Sequence, residues 1–254
     1  MVADRSVRAR SFGAIAEDYD RLRPSPAPAA LDWVVPAGTR IAVDVAAGTG
    51  LFTRALEPGV ARVIAVEPDP RMRAVLTDRS PGVEVLDGTG EAIPLDDASV
   101  DAVFVSSAWH WLDERRAVPE IARVLRNGGR LGVVWSSRDR EIEWVRSLDR
   151  FPWQSTEADT AAERRHRGRR SVGVDTSGMF ERVDTASFAF TRRMTVDDIV
   201  AMTATYSAVI TAPDQDRADV LRRARDTVVE HADGKAELDF PMRTWCWRGD
   251  RVPR

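Results

Sequence analysis

Residues 41–51 read Ile41-Ala42-Val43-Asp44-Val45-Ala46-Ala47-Gly48-Thr49-Gly50-Leu51, an apolar run carrying one acid, then small residues, then an apolar helical start. Small residues at such a turn let the backbone come close to a ligand, and this order predicts a strand, a tight loop and a helix. The pattern repeats downstream. Short β-branched runs at 62–67 (RVIAVE), 83–87 (VEVLD), 101–107 (DAVFVSS) and 130–136 (RLGVVWS) alternate with helical periodicity at 51–56, 70–78 and 114–125. Regular alternation of this kind means βα units and a mostly parallel sheet covered on both faces. Asn127-Gly128-Gly129 reads as the stop of the third helix. With further strands at 180–191 and 237–248, the expectation is an α/β, doubly wound, seven-stranded, mostly parallel sheet of Rossmann-like form.

The flanks read less regularly. Residues 11–22 fit an amphipathic helix, broken by Arg23-Pro24-Ser25-Pro26 before a second helix at 29–34. A helix is expected at 139–149 and an exposed polar loop at 152–170, whose ERRHRGRR run lacks the interleaved aromatics of a nucleic-acid patch. Helices at 196–210 and 216–230 follow, the first opened by a capping box at Thr195-Val196-Asp197-Asp198. The chain reads as one domain over 1–254, with an N-terminal helical cover at 1–36, a ligand-binding core at 37–150 and a helical lid insertion at 195–232.

Composition narrows the classes. At 254 residues, 43% hydrophobic and 30% charged, the chain can bury a large core, and global disorder is excluded. A net charge of -3 has the wrong sign for gripping a phosphate backbone, so no nucleic-acid partner is expected. Cys246 is the only cysteine, which rules out an intrachain disulfide, and no Cys/His cluster has zinc spacing, so no metal is expected. No stretch has the length of a membrane span or the h-region of a signal peptide, and a cytoplasmic protein without membrane contact is expected. Lys235 is the one lysine among 37 basic residues, a bias that points to a GC-rich bacterial genome.

The loop at 46–50 and the acid Glu67, which closes the second strand, suggest a nucleoside site, because an acid there can accept bonds from both ribose hydroxyls. The diphosphate fingerprint G-x-G-x-x-G is absent, and Ala46-x-Gly48-x-Gly50 takes its place. Asp44 would repel a pyrophosphate but attract the ammonium of an amino-acid-bearing nucleoside, which fits S-adenosylmethionine. Other nucleotide enzymes lack their residues here. His231 stands where a short-chain dehydrogenase carries Tyr ahead of Lys235, no Gly-Lys-Ser/Thr occurs, and Ser106-Ser107-Ala108-Trp109 replaces the Pro-Pro-aromatic motif of base-amine methyltransferases.

Tyr19 with Arg23-Pro24, DVAAGTG, VEPDPRM, GTGEAIPL, DAVFVSSAWHW and EIARVLRNGGRLGVVW, in this order, resemble class I S-adenosylmethionine-dependent methyltransferases. The small-molecule group that includes trans-aconitate and ubiquinone/menaquinone enzymes is the most similar. The resemblance spans roughly residues 8–150. It implies that the loop of Ala46, Ala47, Gly48 and Gly50 lies against the methionine moiety, that Glu67 holds the ribose, and that Pro68 to Met72 pack along ribose and adenine. Thr89 stands where the family often has an adenine-binding Asp, leaving adenine to the Gly90 backbone or Glu91. Tyr19, Arg23, Asp44, Ser106 and Ser107 complete the expected cofactor contacts.

The substrate is expected to be a small molecule beneath a cover formed around Tyr19 and Arg23 and by 195–232, since expelled water would strengthen electrostatics inside. His110, between Trp109 and Trp111 after the fourth strand, is the candidate general base. A packed wall residue and a substrate or cofactor contact stand as alternatives for it. A monomer or homodimer is expected. The competing functional class is a protein of this fold that binds the cofactor without moving methyl, as a cyclase or binding protein does.

Overall fold

The computed structural model of the chain describes residues 16–149, 174 and 177–253. Seven strands form one sheet: β1 (Ile41–Val45), β2 (Arg62–Val66), β3 (Glu84–Leu86), β4 (Val100–Ser106), β5 (Leu125–Arg138), β6 (Phe180–Thr195) and β7 (Glu237–Arg251). Their order is β3-β2-β1-β4-β5-β7-β6. β1 lies parallel to β2 and β4, β2 to β3, and β4 to β5. β7 is the reversed strand. Its residues pair with β5 in falling order, Arg130 with Asp250, Ser136 with Thr244 and the Asp139 N–H with the Pro241 carbonyl. Against β6 the order also falls, Asp184 meeting Arg248 and Arg193 meeting Asp239. The sheet is thus doubly wound and mostly parallel, as the alternation of runs implies. The chain passes from β1 outward through β2 and β3, then returns to the other side of β1 with β4. That reversal puts the crevice of an open α/β sheet beyond the carboxyl ends of β1 and β4.

The helices are α1 (Ala16–Leu22), α2 (Pro28–Val34), α3 (Leu51–Leu56), α4 (Pro70–Arg79), α5 (Glu114–Val124), α6 (Glu143–Ser147), α7 (Val196–Ala204), α8 (Ser207–Ile210) and α9 (Asp214–Ala232). Local chemistry starts several of them. Asp69 accepts the Arg71 N–H at 2.9 Å with Pro70 in the first turn of α4, and Asp113 caps α5 by accepting the Arg115 N–H at 3.1 Å. Thr195 caps α7, its hydroxyl accepting the Asp198 N–H at 3.1 Å and donating to the Asp198 carboxylate at 2.8 Å, in place of the reciprocal backbone bond of a full capping box.

Three expectations need correction. Asn127-Gly128-Gly129 does not stop a helix, since α5 already ends at Val124 and the register jumps from Val100↔Leu125 to Ala102↔Arg130. The glycines form a bulge inside β5, with Gly128 at φ 73°. The helix expected at 196–210 is two pieces, because the Thr205 hydroxyl donates to the Met202 carbonyl at 2.7 Å and closes α7. The helix expected at 139–149 shrinks to the five residues of α6, since Asp139 and its neighbours continue the pairing with β7. The expected loop at 152–170 and the start of the first helix at 11–15 lie outside the described residues.

The chain packs into two compact units. One comprises Ser25–Ser136, Gly168–Phe188 and Thr244–Arg254, and its core joins Val43, Ile64, Val103, Ile121, Val133 and Trp247. The other comprises Met1–Pro24, Ser137–Arg167 and Ala189–Arg243, with a separate core of Val145, Ile199, Met202, Val228, Phe240 and Met242. β5, β6 and β7 each contribute residues to both. Among the described residues, no helix is long and apolar enough to cross a membrane.

Candidate functional site

β1 runs straight into the loop at 46–50 because its last residue, Val45, is wholly buried while Ala46 turns at φ 55°. A left-handed alanine costs about 1–2 kcal/mol, a strain that the surrounding bonds must hold. They do so from two sides. The Ala47 N–H donates to the Val66 carbonyl at 3.2 Å, and the Gly50 N–H to the Ala47 carbonyl at 3.0 Å. Glu67, at the end of β2, accepts the Gly48 N–H at 2.8 Å on one carboxylate oxygen and the Asp69 N–H at 2.9 Å on the other. Gly48 sits at φ 60°, and a Cβ there would find open space within 4 Å. The loop therefore exposes backbone, not side chain, on that side.

Beneath the loop lies Asp44. It is fully buried in β1, and its Oδ2 accepts the Thr53 hydroxyl of α3 at 2.7 Å. Its Oδ1 is buried and has no hydrogen-bond partner among the described residues, and neither has the Thr49 hydroxyl. Burial pushes the Asp44 carboxyl up to about 7; the Thr53 hydroxyl works against this and the nearby Glu67 carboxylate adds to it. Glu67 is also raised, by burial first, with the Asp69 and Gly48 N–H groups opposing. Two desolvated carboxyls flank a backbone cradle. Such a site is short of positive charge and fits a cationic nucleoside carrying an ammonium; a diphosphate would meet repulsion.

The remaining expected residues of this unit gather at the same ends of the strands. Met72, in α4, is buried, whereas Pro68 is exposed. Gly90 is buried with no room to spare, since a Cβ would stand 2.9 Å from the Leu112 side chain. Glu91 is half-buried, and its carboxylate accepts the Asp113 N–H at 2.7 Å, tying the segment after β3 to the start of α5. Ser106 ends β4, and Ser107 follows at φ 55° with its N–H bound to the Val134 carbonyl at 2.7 Å. Then comes a single 3₁₀ turn, Trp109–Trp111. Trp109 is buried and donates its indole N–H to Glu114 at 2.8 Å, while Trp111 packs on the core. His110 is exposed between them, its ring 4.5 Å from that of Trp111. The two indoles anchor the turn, and the imidazole is presented outward.

Tyr19 and Arg23 belong to the other unit. There the Arg23 guanidinium lies 5.1 Å from the Tyr19 ring and 4.2 Å from that of Tyr206.

Several supporting residues escape a reading of motifs. Thr53, nine residues after Asp44, reaches back under the loop because α3 turns back onto the sheet, packing against β2 beside β1. Arg73 donates to the Glu67 carbonyl at 2.7 Å and to both oxygens of Asp87, at 2.9 and 3.1 Å, bracing the carboxyl ends of β2 and β3. Arg54 holds the Thr49 carbonyl at 2.9 Å. The one signal in the sequence was helical spacing, which puts Arg73 a turn after Asp69 and names no target.

Residues 43–133 match the methyltransferase domain family. An uncharacterised methyltransferase of Mycobacterium tuberculosis is 41% identical over 251 residues, covering 98% of each chain. The chain belongs to this methyltransferase family, the class I enzymes that use S-adenosylmethionine. A solved structure from Anaeromyxobacter dehalogenans, assigned as a type II methyltransferase, is 25% identical with a TM-score of 0.66, over 91% of this chain and 99% of that one. A phosphoethanolamine N-methyltransferase of Haemonchus contortus, solved with S-adenosyl-L-methionine, shares the fold at 14% identity and a TM-score of 0.59, over 100% of this chain and 61% of that one.

Proposed function

We propose that the enzyme holds S-adenosylmethionine at the carboxyl ends of β1, β2 and β4 and transfers its methyl group to a small molecule. The carrying observation is Glu67: a buried carboxylate fixed by two backbone N–H groups, with lone pairs left for the two ribose hydroxyls. Asp44 with its unpartnered Oδ1 serves the ammonium end, directly or through water. Ala46, Ala47, Gly48 and Gly50 lie along the methionine moiety, Pro68 and Met72 along ribose and adenine, and Gly90 and Glu91 toward the base. Ser106 and Ser107 line the end of β4.

When bound, the cofactor supplies an electrophilic methyl on a sulfonium. The protein's part is alignment, since an in-line displacement depends foremost on holding nucleophile and carbon in one line. His110, outward between two anchored indoles, takes up the proton that an oxygen, nitrogen or sulfur acceptor loses as its bond to carbon forms.

Calorimetry on Glu67→Gln tests the cofactor site. The carboxamide carries no charge and turns one acceptor oxygen into a donor, so affinity for S-adenosylmethionine falls by about 1.5–3 kcal/mol. Unchanged affinity rejects the assignment. For His110→Ala, once an acceptor is in hand, turnover drops roughly 10²- to 10⁴-fold and recovers at high pH. A variant with full activity and an unaltered pH profile removes the base from the mechanism and leaves methyl transfer intact.

A further inference from the structure

Glu67 is bound by neutral donors and has acids for neighbours. It is 7% exposed, and the main-chain N–H groups of Gly48 and Asp69 take one carboxylate oxygen each. Burial raises its carboxyl and the Asp69 carboxylate adds to this, while the two N–H groups and then the Arg73 charge work against it. Asp44, on β1, is a second acid close enough for the two to feel each other. Asp69 has a cation of its own, Arg71, at 2.7 Å. Arg73, in α4, is the cation whose charge reaches Glu67.

Arg73 reaches it through the main chain. Its half-buried guanidinium donates from Nη1 to the Glu67 carbonyl at 2.7 Å and to one Asp87 oxygen at 2.9 Å, and from Nη2 to the other Asp87 oxygen at 3.1 Å. Three more bonds close around this fork. The Glu67 N–H donates to the Leu86 carbonyl at 3.1 Å, the Asp69 N–H to the Glu67 carboxylate at 2.9 Å, and the Arg73 N–H to the Asp69 carbonyl at 3.0 Å. The end of β2, the residue after β3 and the first turn of α4 thus form one clamp around Glu67. An ion pair with an exposed member adds little to stability, and the Asp87 side chain is 72% exposed, so the worth of the fork lies in where it holds the chain.

Two neighbouring hydroxyls need two acceptor oxygens in fixed places, because a hydrogen bond weakens steeply as its angle closes. We propose that Arg73 is the positioning residue of the ribose acid: its fork on the Glu67 carbonyl and Asp87 sets where the Glu67 carboxylate stands, and with it the preference for a nucleoside carrying both ribose hydroxyls. The inference rests on the reading of Glu67 given above. Glu67 makes the contact, and Arg73 acts through it. A lysine would not serve, since a single ammonium does not span a carbonyl and a carboxylate as a planar fork does.

The test titrates the full chain by calorimetry with 5′-methylthioadenosine and with its 2′,3′-dideoxy counterpart. Both lack the amino acid that Asp44 would serve, so the ratio of their affinities reads the ribose contact alone. The wild type is expected to prefer the diol by about tenfold or more. Arg73→Gln, which loses both charge and fork, lowers that ratio about threefold to tenfold. Asp87→Asn, at an exposed position, lowers it about twofold to fourfold while keeping the wild-type urea midpoint, so lost folding does not account for the change. The inference is overturned if either folded variant keeps the wild-type ratio, even where affinity for both nucleosides falls in step, because Arg73 then braces the fold and nothing more. A wild type that binds both nucleosides equally overturns the ribose reading of Glu67 and this inference with it. A preference that Glu67→Gln abolishes and Arg73→Gln leaves intact overturns this inference alone.

Discussion

Asp44 carries the sharpest consequence at the scale of single residues. Its carboxyl titrates near 7 in the folded protein and in the usual carboxylate range when unfolded, so the folded state binds the extra proton between those values. Stability owed to this group is therefore full below about pH 4 and is lost as pH rises toward 7, by up to about 4 kcal/mol. Asp44→Asn, which keeps an acceptor for Thr53, should be free of that loss. The stability gap between variant and wild type, from urea melts at successive pH values, is expected to widen from pH 4 to 7. A gap that does not change with pH would show that Asp44 is not raised. The same titration bears on binding. A cationic ligand near Asp44 favours its ionised form, so S-adenosylmethionine should bind more tightly at pH 8 than at pH 5.5 and release a proton near pH 6.5. Calorimetry in buffers of different ionisation enthalpy would read that proton.

Among the elements, β5 is the one whose packing most constrains its sequence. A Cβ on Gly132 would meet Phe104 and Val34, each at 2.6 Å, and neither the ring nor the valine has free space to yield. Gly132→Ala is expected to cost about 1–3 kcal/mol in urea denaturation. Gly59 is the contrast, with open space where its Cβ would go. Gly59→Ala should be neutral or stabilise by about 0.4–1 kcal/mol through the unfolded chain. Equal effects at the two positions would remove packing as the reason for Gly132. The bulge at Gly128 belongs to the same strand: Asn-Gly-Gly is a common helix stop, and only pairing with β4 turns it into strand.

Across the whole molecule, each unit has its own buried core, and they should be separable by local opening. Met202 is fully buried in the unit that contains α7 and α9. Met202→Ala should destabilise by about 2–5 kcal/mol. Hydrogen exchange should speed up in α7 and α9 while α3 and α4 keep their protection. Equal loss in all four helices would show one cooperative core.

The amino-acid sequence by itself determined the alternation of strands and helices, the glycine loop and the pairing of Asp44 with Glu67 as site acids, and the resemblance of its ordered motifs supplied the methyltransferase class. These are local patterns with a period or a fixed spacing, and they survive without knowledge of neighbours. Helix ends depended on contacts the spacing does not contain: the Thr205 hydroxyl that closes α7, and the β7 pairing that draws residues near 139 out of a helix. Tertiary structure alone also decided that Asp44 lies wholly buried against Thr53, that His110 stands exposed between two anchored indoles, and that Arg73 closes on both Glu67 and Asp87. Those three stand in α4 and at the ends of β2 and β3. Their meeting follows from the pairing of β2 with β3, which no stretch of sequence contains.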